Sequence, residues 1–148
     1  MTVKALGFGK RVLVTGSTGF IGKYLCNHLL ASGFTVRALS RESSSVTHRW
    51  NGLFEQRFGS LFDQNFLLKA CENVDYIVHL AGLASVTETT NDDLYRINVT
   101  GTKLILAAAT EQKVRRFIYM SSSLAEEKDF KGLPTTTYGK TKLEAEKI

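Results

Sequence analysis

The chain has 148 residues, 43% of them hydrophobic, with a single proline. That is one domain's length with enough apolar material for a core, and it excludes a disordered chain. Formal net charge is +5, but the basic residues are scattered apart from Lys113-Val114-Arg115-Arg116, which reads as a solvated helix end and not a nucleic-acid patch.

Two cysteines, Cys26 and Cys71, have neither metal-ligand nor disulfide-framework spacing, and no His/Asp/Glu cluster supplies a metal set. No signal peptide is visible, and the apolar runs fall far short of the roughly 20 residues that span a bilayer. The expectation is a soluble cytoplasmic protein with no membrane, nucleic-acid or metal partner.

In chain order, Arg11–Thr15 is a short β-branched run that ends at Gly16 and reads as a buried strand. Phe20, Ile21, Tyr24, Leu25, Cys26, Leu29 and Leu30 recur at helical spacing, and Gly33 stops that helix. Phe34–Leu39 is a second strand, 40–52 a polar loop, Leu53–Phe58 a third strand and Asn65–Cys71 a short helix. Val74–Leu80 is a fourth strand, which would bury His79 as a packed residue. Asp92–Thr110 is one long helix, in which Gly101 predicts close packing. Arg116–Met120 is a fifth strand tipped by Ser121-Ser122-Ser123, and the chain is helical from Thr137 to its end. Trp50 is expected in a small local core. Strands alternating with helices predict an α/β fold, a doubly wound parallel sheet of the Rossmann type in three α/β/α layers, as a single domain over 1–148. Every glycine or polar cluster follows a strand, so the chemistry collects at one edge of the sheet.

The first of these clusters, Gly16-Ser17-Thr18-Gly19-Phe20-Ile21-Gly22, follows a strand and opens a helix, the setting in which a glycine pattern signals dinucleotide binding. Gly16 allows a sharp turn, Gly19 close approach of a pyrophosphate, and Gly22 close packing of helix on strand. Free N–H groups at the helix start face the phosphates, and Ser17 and Thr18 can add hydroxyl donors. An acidic residue ending the second strand would favour NAD. Here Ser40 and Arg41 stand there, with Arg37 upstream, and a guanidinium suits a 2′-phosphate. The cofactor is thus NAD(P), with NADP preferred, while Glu42 leaves NAD open.

Tyr138 and Lys142 are four residues apart, on one face of a helix. A phenol is too weak a base at neutral pH, but a neighbouring ammonium favours the phenolate. Tyr138 could then take the proton of a substrate hydroxyl, with a hydroxyl from Ser121–Ser123 holding the same oxygen.

These residues resemble the N-terminal part of the extended short-chain dehydrogenase/reductase family, the epimerase/dehydratase group. The resemblance is carried by Thr15–Gly22, His79-Leu80-Ala81-Gly82, Asn98-Val99-Thr100-Gly101-Thr102, Ser121–Ser123 and Tyr138-Gly139-Lys140-Thr141-Lys142, which span nearly the whole chain in the family's order. It implies Tyr138 as catalytic base and Lys142 on the nicotinamide ribose. Ser123 comes first and Ser122 second as catalytic hydroxyl. Leu80, Ala81 and Gly82 line the cofactor, and Asn98 supports the site.

The resemblance further implies hydride chemistry at a sugar hydroxyl carbon of a nucleotide-sugar substrate, as in an epimerase or dehydratase. The alternatives are an NADPH-dependent carbonyl reductase and a non-catalytic cofactor-sensing module. An RNA-binding relative of the fold would need a basic face interleaved with aromatics, and only residues 113–116 come near one. The family's pattern is broken where Ser60, not an acid, follows Gly59, and the segment between Ser123 and Tyr138 is short. The helical pattern stops at Ile148 without a cap, so the chain is expected to be cut from a longer protein. Such a piece is expected to be inactive alone, and a homodimer of the full-length protein stays open.

Overall fold

The computed structural model describes residues 7–41, 52–84 and 90–148. Five parallel strands, β1 (Arg11–Thr15), β2 (Thr35–Ser40), β3 (Phe54–Phe58), β4 (Tyr76–His79) and β5 (Arg116–Tyr119), pair in the order β3-β2-β1-β4-β5. The chain therefore winds outward from β1 through β2 to β3, then returns to pair β4 on the other side of β1. The winding reverses between β1 and β4, where open α/β sheets place their ligands. This is the Rossmann-type arrangement that the alternation of strands and helices predicts.

The strands of a sheet with two covered faces send alternate side chains to opposite cores. Val12, Val14 and Val36 pack with Cys26 and Leu30 of α1 (Phe20–Ala31). Leu13, Leu39 and Ile77 point the other way. They meet Leu67, Ala70 and Cys71 of α2 (Gln64–Cys71) and Ile105, Ala108 and Ala109 of α4 (Gly101–Glu111). Burial holds both cysteines as thiols, pushing each pKa up to about 11.

Two helices end in the same backbone motif. After α1, the Gly33 N–H donates to the Leu30 carbonyl and the Phe34 N–H to that of Leu29, with Gly33 at φ 85°. After α4, the Lys113 N–H donates to Thr110 and the Val114 N–H to Ala109, with Lys113 at φ 56°. Gly33 is the expected stop; Lys113 does the same task with a side chain that strains it.

Three expectations are corrected. Phe20, Ile21 and Tyr24 are 82%, 50% and 68% exposed, so α1 buries a narrower stripe than its apolar spacing suggests. The helix expected over Asp92–Thr110 is broken in its middle. α3 (Asn91–Tyr95) passes through one π turn, Arg96–Thr100, before α4, and the Gly101 N–H reaches back to the Arg96 carbonyl. The Thr102 hydroxyl donates to the Asn98 carbonyl at 2.6 Å, giving that widened turn a bond of its own. Gly101 is not explained by close packing, since a Cβ there would meet Leu61 at an ordinary 3.6 Å. The last helix, α5, covers Thr137–Glu146, and the Thr136 hydroxyl caps it by accepting from the Gly139 N–H at 2.9 Å. His48, Trp50, Glu42 and most of the loop expected at 40–52 lie outside the described residues.

Candidate functional site

The turn after β1 is built by its glycines in three different ways. Gly16 has φ 66°, and a Cβ on it would stand 2.7 Å from the Ala81 nitrogen. At Gly22 a Cβ would collide with the Gly16 carbonyl and lie 2.7 Å from the Ser17 Cα, so α1 sits directly on the turn. Gly19 is different. It has φ −70°, and a Cβ would meet only the Gly16 carbonyl oxygen, at 3.2 Å. Gly16 and Gly22 are thus required by the protein's own backbone, while the space over Gly19 is open.

That space belongs to a cavity of about 800 Å³ at the switch point between β1 and β4. Its walls hold Thr18 and Gly19 from the turn, Ser40 and Arg41 from the end of β2, and Leu80, Ala81 and Gly82 from the end of β4. Gly59, Ser60 and Phe62 close it beyond β3, with Arg96 and Ile97 of the π turn opposite. The guanidinium of Arg96 lies 4.8 Å from the centroid of the Phe62 ring. The residues present fit a dinucleotide: a glycine with no side chain in the way, a helix start with no side-chain cap, and a long cleft across three strand ends.

Several predicted residues do other work. The Ser17 hydroxyl is buried and donates to the Leu39 carbonyl at 3.0 Å, so it ties the turn to β2 and offers no hydroxyl to the cavity. Arg37 is also committed: Nε bonds Glu55 at 2.8 Å and Nη1 bonds the Ala70 and Glu72 carbonyls, which removes it as a phosphate ligand. Phe20 and Ile21 turn their side chains to solvent, leaving only their backbone for a ligand. Ser40 is nearly buried, and its Oγ accepts from Gln56 at 3.0 Å.

The second half of the site hangs on Asn98. Its Oδ1 accepts from the Leu83 N–H at 2.7 Å, and its Nδ2 donates to the Leu83 carbonyl and to the Thr141 hydroxyl, each at 3.0 Å. Asn98 thereby joins the segment after β4 to α5, the helix that carries Tyr138 and Lys142. Gly139 sets the other side of α5. A Cβ there would collide with the Leu124 carbonyl in the short turn Ser123–Ala125, so the glycine lets α5 lie directly against the serine-tipped end of β5. Ser122 caps that turn, its Oγ accepting from the Leu124 N–H at 3.3 Å, which leaves its own proton free to donate. Ser123 is exposed, and Ser121 donates to Glu146.

Lys142 is 5% exposed and hydrogen-bonds none of the described residues, nor does it pair with any carboxylate among them. Its Nζ lies 4.4 Å from the centroid of the Tyr119 ring, 6.0 Å from that of Tyr138, and 3.7 Å from where a Cβ on Gly82 would stand. Burial pulls its pKa down to about 8.

Beneath Lys142, His79 is fully buried. The Thr15 hydroxyl accepts from the Ala81 N–H at 3.1 Å and donates to His79 Nδ1 at 2.6 Å, a direction set by the other side of the ring. The Thr102 proton is spent on Asn98, so Nε2 carries the hydrogen and donates to the Thr102 hydroxyl at 3.1 Å. Burial first, and the Lys142 charge second, drop the His79 pKa to about 3. His79 is a neutral strut between β1, β4 and the start of α4, not a base.

Sequence reasoning placed Gly139, Thr141, Thr15 and Thr102 within the matching motifs but gave none of them a role. A glycine in the first turn of a helix, which costs about 1 kcal/mol there, was the available signal for Gly139. The threonines look like ordinary helix and strand residues until their partners are known. Among the described residues no three His, Cys, Asp or Glu side chains form a metal set, and no helix is long and apolar enough to cross a membrane.

A model described as "NAD dependent epimerase/dehydratase family" matches residues 12–148. The chain is 38% identical over 112 residues to a putative dihydroflavonol 4-reductase of Synechocystis sp., covering 76% of this chain and 32% of that protein. It is 32% identical over 157 residues to a UDP-glucose 4-epimerase of Yersinia pestis, covering 93% and 46%. The solved structure of MoeE5 in complex with UDP-glucuronic acid and NAD superposes with a TM-score of 0.80 at 33% identity, over 93% of this chain and 47% of that one. The chain thus spans about a third to a half of the length of the curated relatives it matches.

Proposed function

Because this chain belongs to the NAD dependent epimerase/dehydratase family, we propose that it is the cofactor-binding half of an NAD(P)-dependent oxidoreductase working on a nucleotide sugar, of the epimerase/dehydratase type. One observation carries the reading. The cavity over the open Gly19 is roofed by the same β4 segment that Asn98 ties to the helix of Tyr138 and Lys142. A binding cleft and an acid–base helix are thus held as one unit.

In this reading the amides at the start of α1 hold the pyrophosphate, with the positive end of the helix dipole behind them. Arg41, beside Ser40, takes the 2′-phosphate of NADP. Lys142 donates to the ribose hydroxyls next to the nicotinamide. Tyr138 accepts the proton of the substrate hydroxyl, and Ser123 or Ser122 donates to that same oxygen. When bound, the cofactor supplies the hydride acceptor. Choice of substrate is assigned to the part of the relatives that lies beyond this chain's span, so the chain alone is expected to bind dinucleotide without turnover. The protein is placed in the cytoplasm.

A carbonyl reductase is the second reading. It is favoured by Arg41 at the end of β2 and by the likeness to the putative dihydroflavonol 4-reductase.

Calorimetric titration of this chain with NADP+ and NAD+ tests the cofactor. Tighter NADP+ binding that Arg41→Ala weakens about tenfold or more is expected, since a charged hydrogen bond contributes about 1.5–3 kcal/mol. An NAD+ preference unchanged by that substitution would sink the NADP proposal. In a protein extended to the relatives' length, Tyr138→Phe should abolish turnover and leave cofactor affinity nearly intact. Full activity in that variant would end the proposed acid–base role.

A further inference from the structure

A buried ammonium is costly unless something compensates its charge. The Lys142 side chain is 5% exposed, with no carboxylate within ion-pair distance and no hydrogen bond among the described residues; its Nζ keeps some access to solvent, and Glu146, one turn further along α5, attracts its charge from a distance. What it does have is a ring. The Tyr119 centroid lies 4.4 Å from Nζ, well inside the range of a cation–π contact, whereas Tyr138 stands at its limit, 6.0 Å. The Tyr119 ring is itself held. It stacks on His79 with centroids 5.9 Å apart and planes 26° apart, and His79 is pinned through both ring nitrogens by Thr15 and Thr102.

The phenol oxygen of Tyr119 is buried and has no hydrogen-bond partner. A tyrosine kept for its hydroxyl would have one. The useful part of this side chain is therefore the ring face.

We propose that Tyr119 is the positioning residue for Lys142, its ring serving as the platform that holds the ammonium beside Gly82 and Asn98. This rests on the reading that Lys142 engages the cofactor ribose. Tyr119 touches no reacting atom. It fixes where the charge stands, and His79 fixes where Tyr119 stands. The last residue of β5 thus aims a side chain of α5, although the two are 23 positions apart in sequence.

The first test needs no substitution. An ε-methylene group beside an aromatic face is shielded by the ring current. In the nuclear magnetic resonance spectrum of this chain, the Lys142 ε-methylene protons should lie clearly upfield of those of exposed lysines. Protons at the ordinary lysine position overturn the proposal. Tyr119→Phe should keep the upfield shift, hold NAD+ and NADP+ affinity within about twofold, and melt no lower than the unmodified chain, because it removes only the unpartnered hydroxyl. Tyr119→Leu should lose the shift and weaken dinucleotide binding by about 5- to 30-fold.

Tyr119→Leu binding as the unmodified chain does, where Lys142→Ala binds weakly, also overturns the platform. Failure of the underlying reading looks different. In that case Lys142→Ala leaves both affinities unchanged while the upfield shift persists, and the cofactor role of Lys142 falls although its contact with Tyr119 stands.

Discussion

Two glycines three residues apart do unlike work in one turn. A Cβ at Gly22 would strike the Gly16 carbonyl and the Ser17 backbone, which cannot move without shifting β1 against α1. Gly22→Ala should therefore lower the melting temperature sharply, a loss of about 2 kcal/mol or more, in the range of overpacked cores. At Gly19 the backbone is already in a region open to alanine, and only one atom must give by a few tenths of an ångström. Gly19→Ala should cost under about 1 kcal/mol of stability and weaken dinucleotide binding at least about tenfold. Thermal melts paired with calorimetric titrations of both variants check the contrast.

His79 belongs to the same scale. Its folded pKa of about 3 lies below the ordinary histidine value of 6.5. The unfolded chain therefore binds the extra proton first as pH falls. The contribution of His79 is complete above pH 6.5 and is lost progressively between 6.5 and 3. Denaturant midpoints measured across that window should fall with pH, and His79→Gln, unable to take a proton, should flatten this part of the profile.

Among the elements, the ends of the helices show how a local sequence can be legible or hidden. Gly33 announced the end of α1 because glycine alone is at ease at φ 85°. The end of α4 carries the same two hydrogen bonds around Lys113, and nothing in a lysine signals a left-handed backbone. Lys113→Gly should raise stability by about 0.5–1 kcal/mol, the left-handed strain it relieves being partly offset by the freer unfolded chain. A denaturant titration reads this directly.

The five strands, the doubly wound parallel sheet and the tight glycine turn after β1 were all legible, because each rests on a short period or on glycine chemistry within a few residues. The π turn was not, since Leu94, Ile97, Leu104 and Ile105 fit a regular helix equally well. Nor was the commitment of Ser17 and Arg37 to structural partners. Their bonds run to Leu39, Ala70 and Glu72, positions 22 to 35 residues away that only the folded sheet brings close.

At the scale of the whole molecule, the two faces of the sheet are packed by different helices among the described residues. α2 and α4 build one core, while α1 is the helix that packs the other. Ile118 and Met120 at the β5 edge are 47% and 42% exposed, as are the aromatics of α1 to a larger extent. A bound dinucleotide that bridges the ends of β1, β2 and β4, which line the cavity, should stabilise the entire chain. At a concentration 100 times its dissociation constant, a ligand bound only by the folded state adds about 2.7 kcal/mol. For a chain of this size that is a rise of about 5–10 °C in melting temperature. The preferred dinucleotide should produce that rise in the unmodified chain and about half of it or less in Gly19→Ala at equal concentration.

The π turn at Arg96–Thr100 also governs which sequence lengths this segment tolerates. Each residue removed from a helix rotates everything before it by about 100° relative to everything after it. Deleting one residue within 96–100 would restore a regular winding, and so would look harmless by helix propensity alone. It would also swing Arg96 and Ile97 off the cavity wall and break the clock-face alignment of Asn98 with Leu83 and Thr141. The extra residue works as a phase shifter between a half-turn that faces the cleft and three turns that face the core. Compensated substitutions should accumulate here far more readily than any change in length.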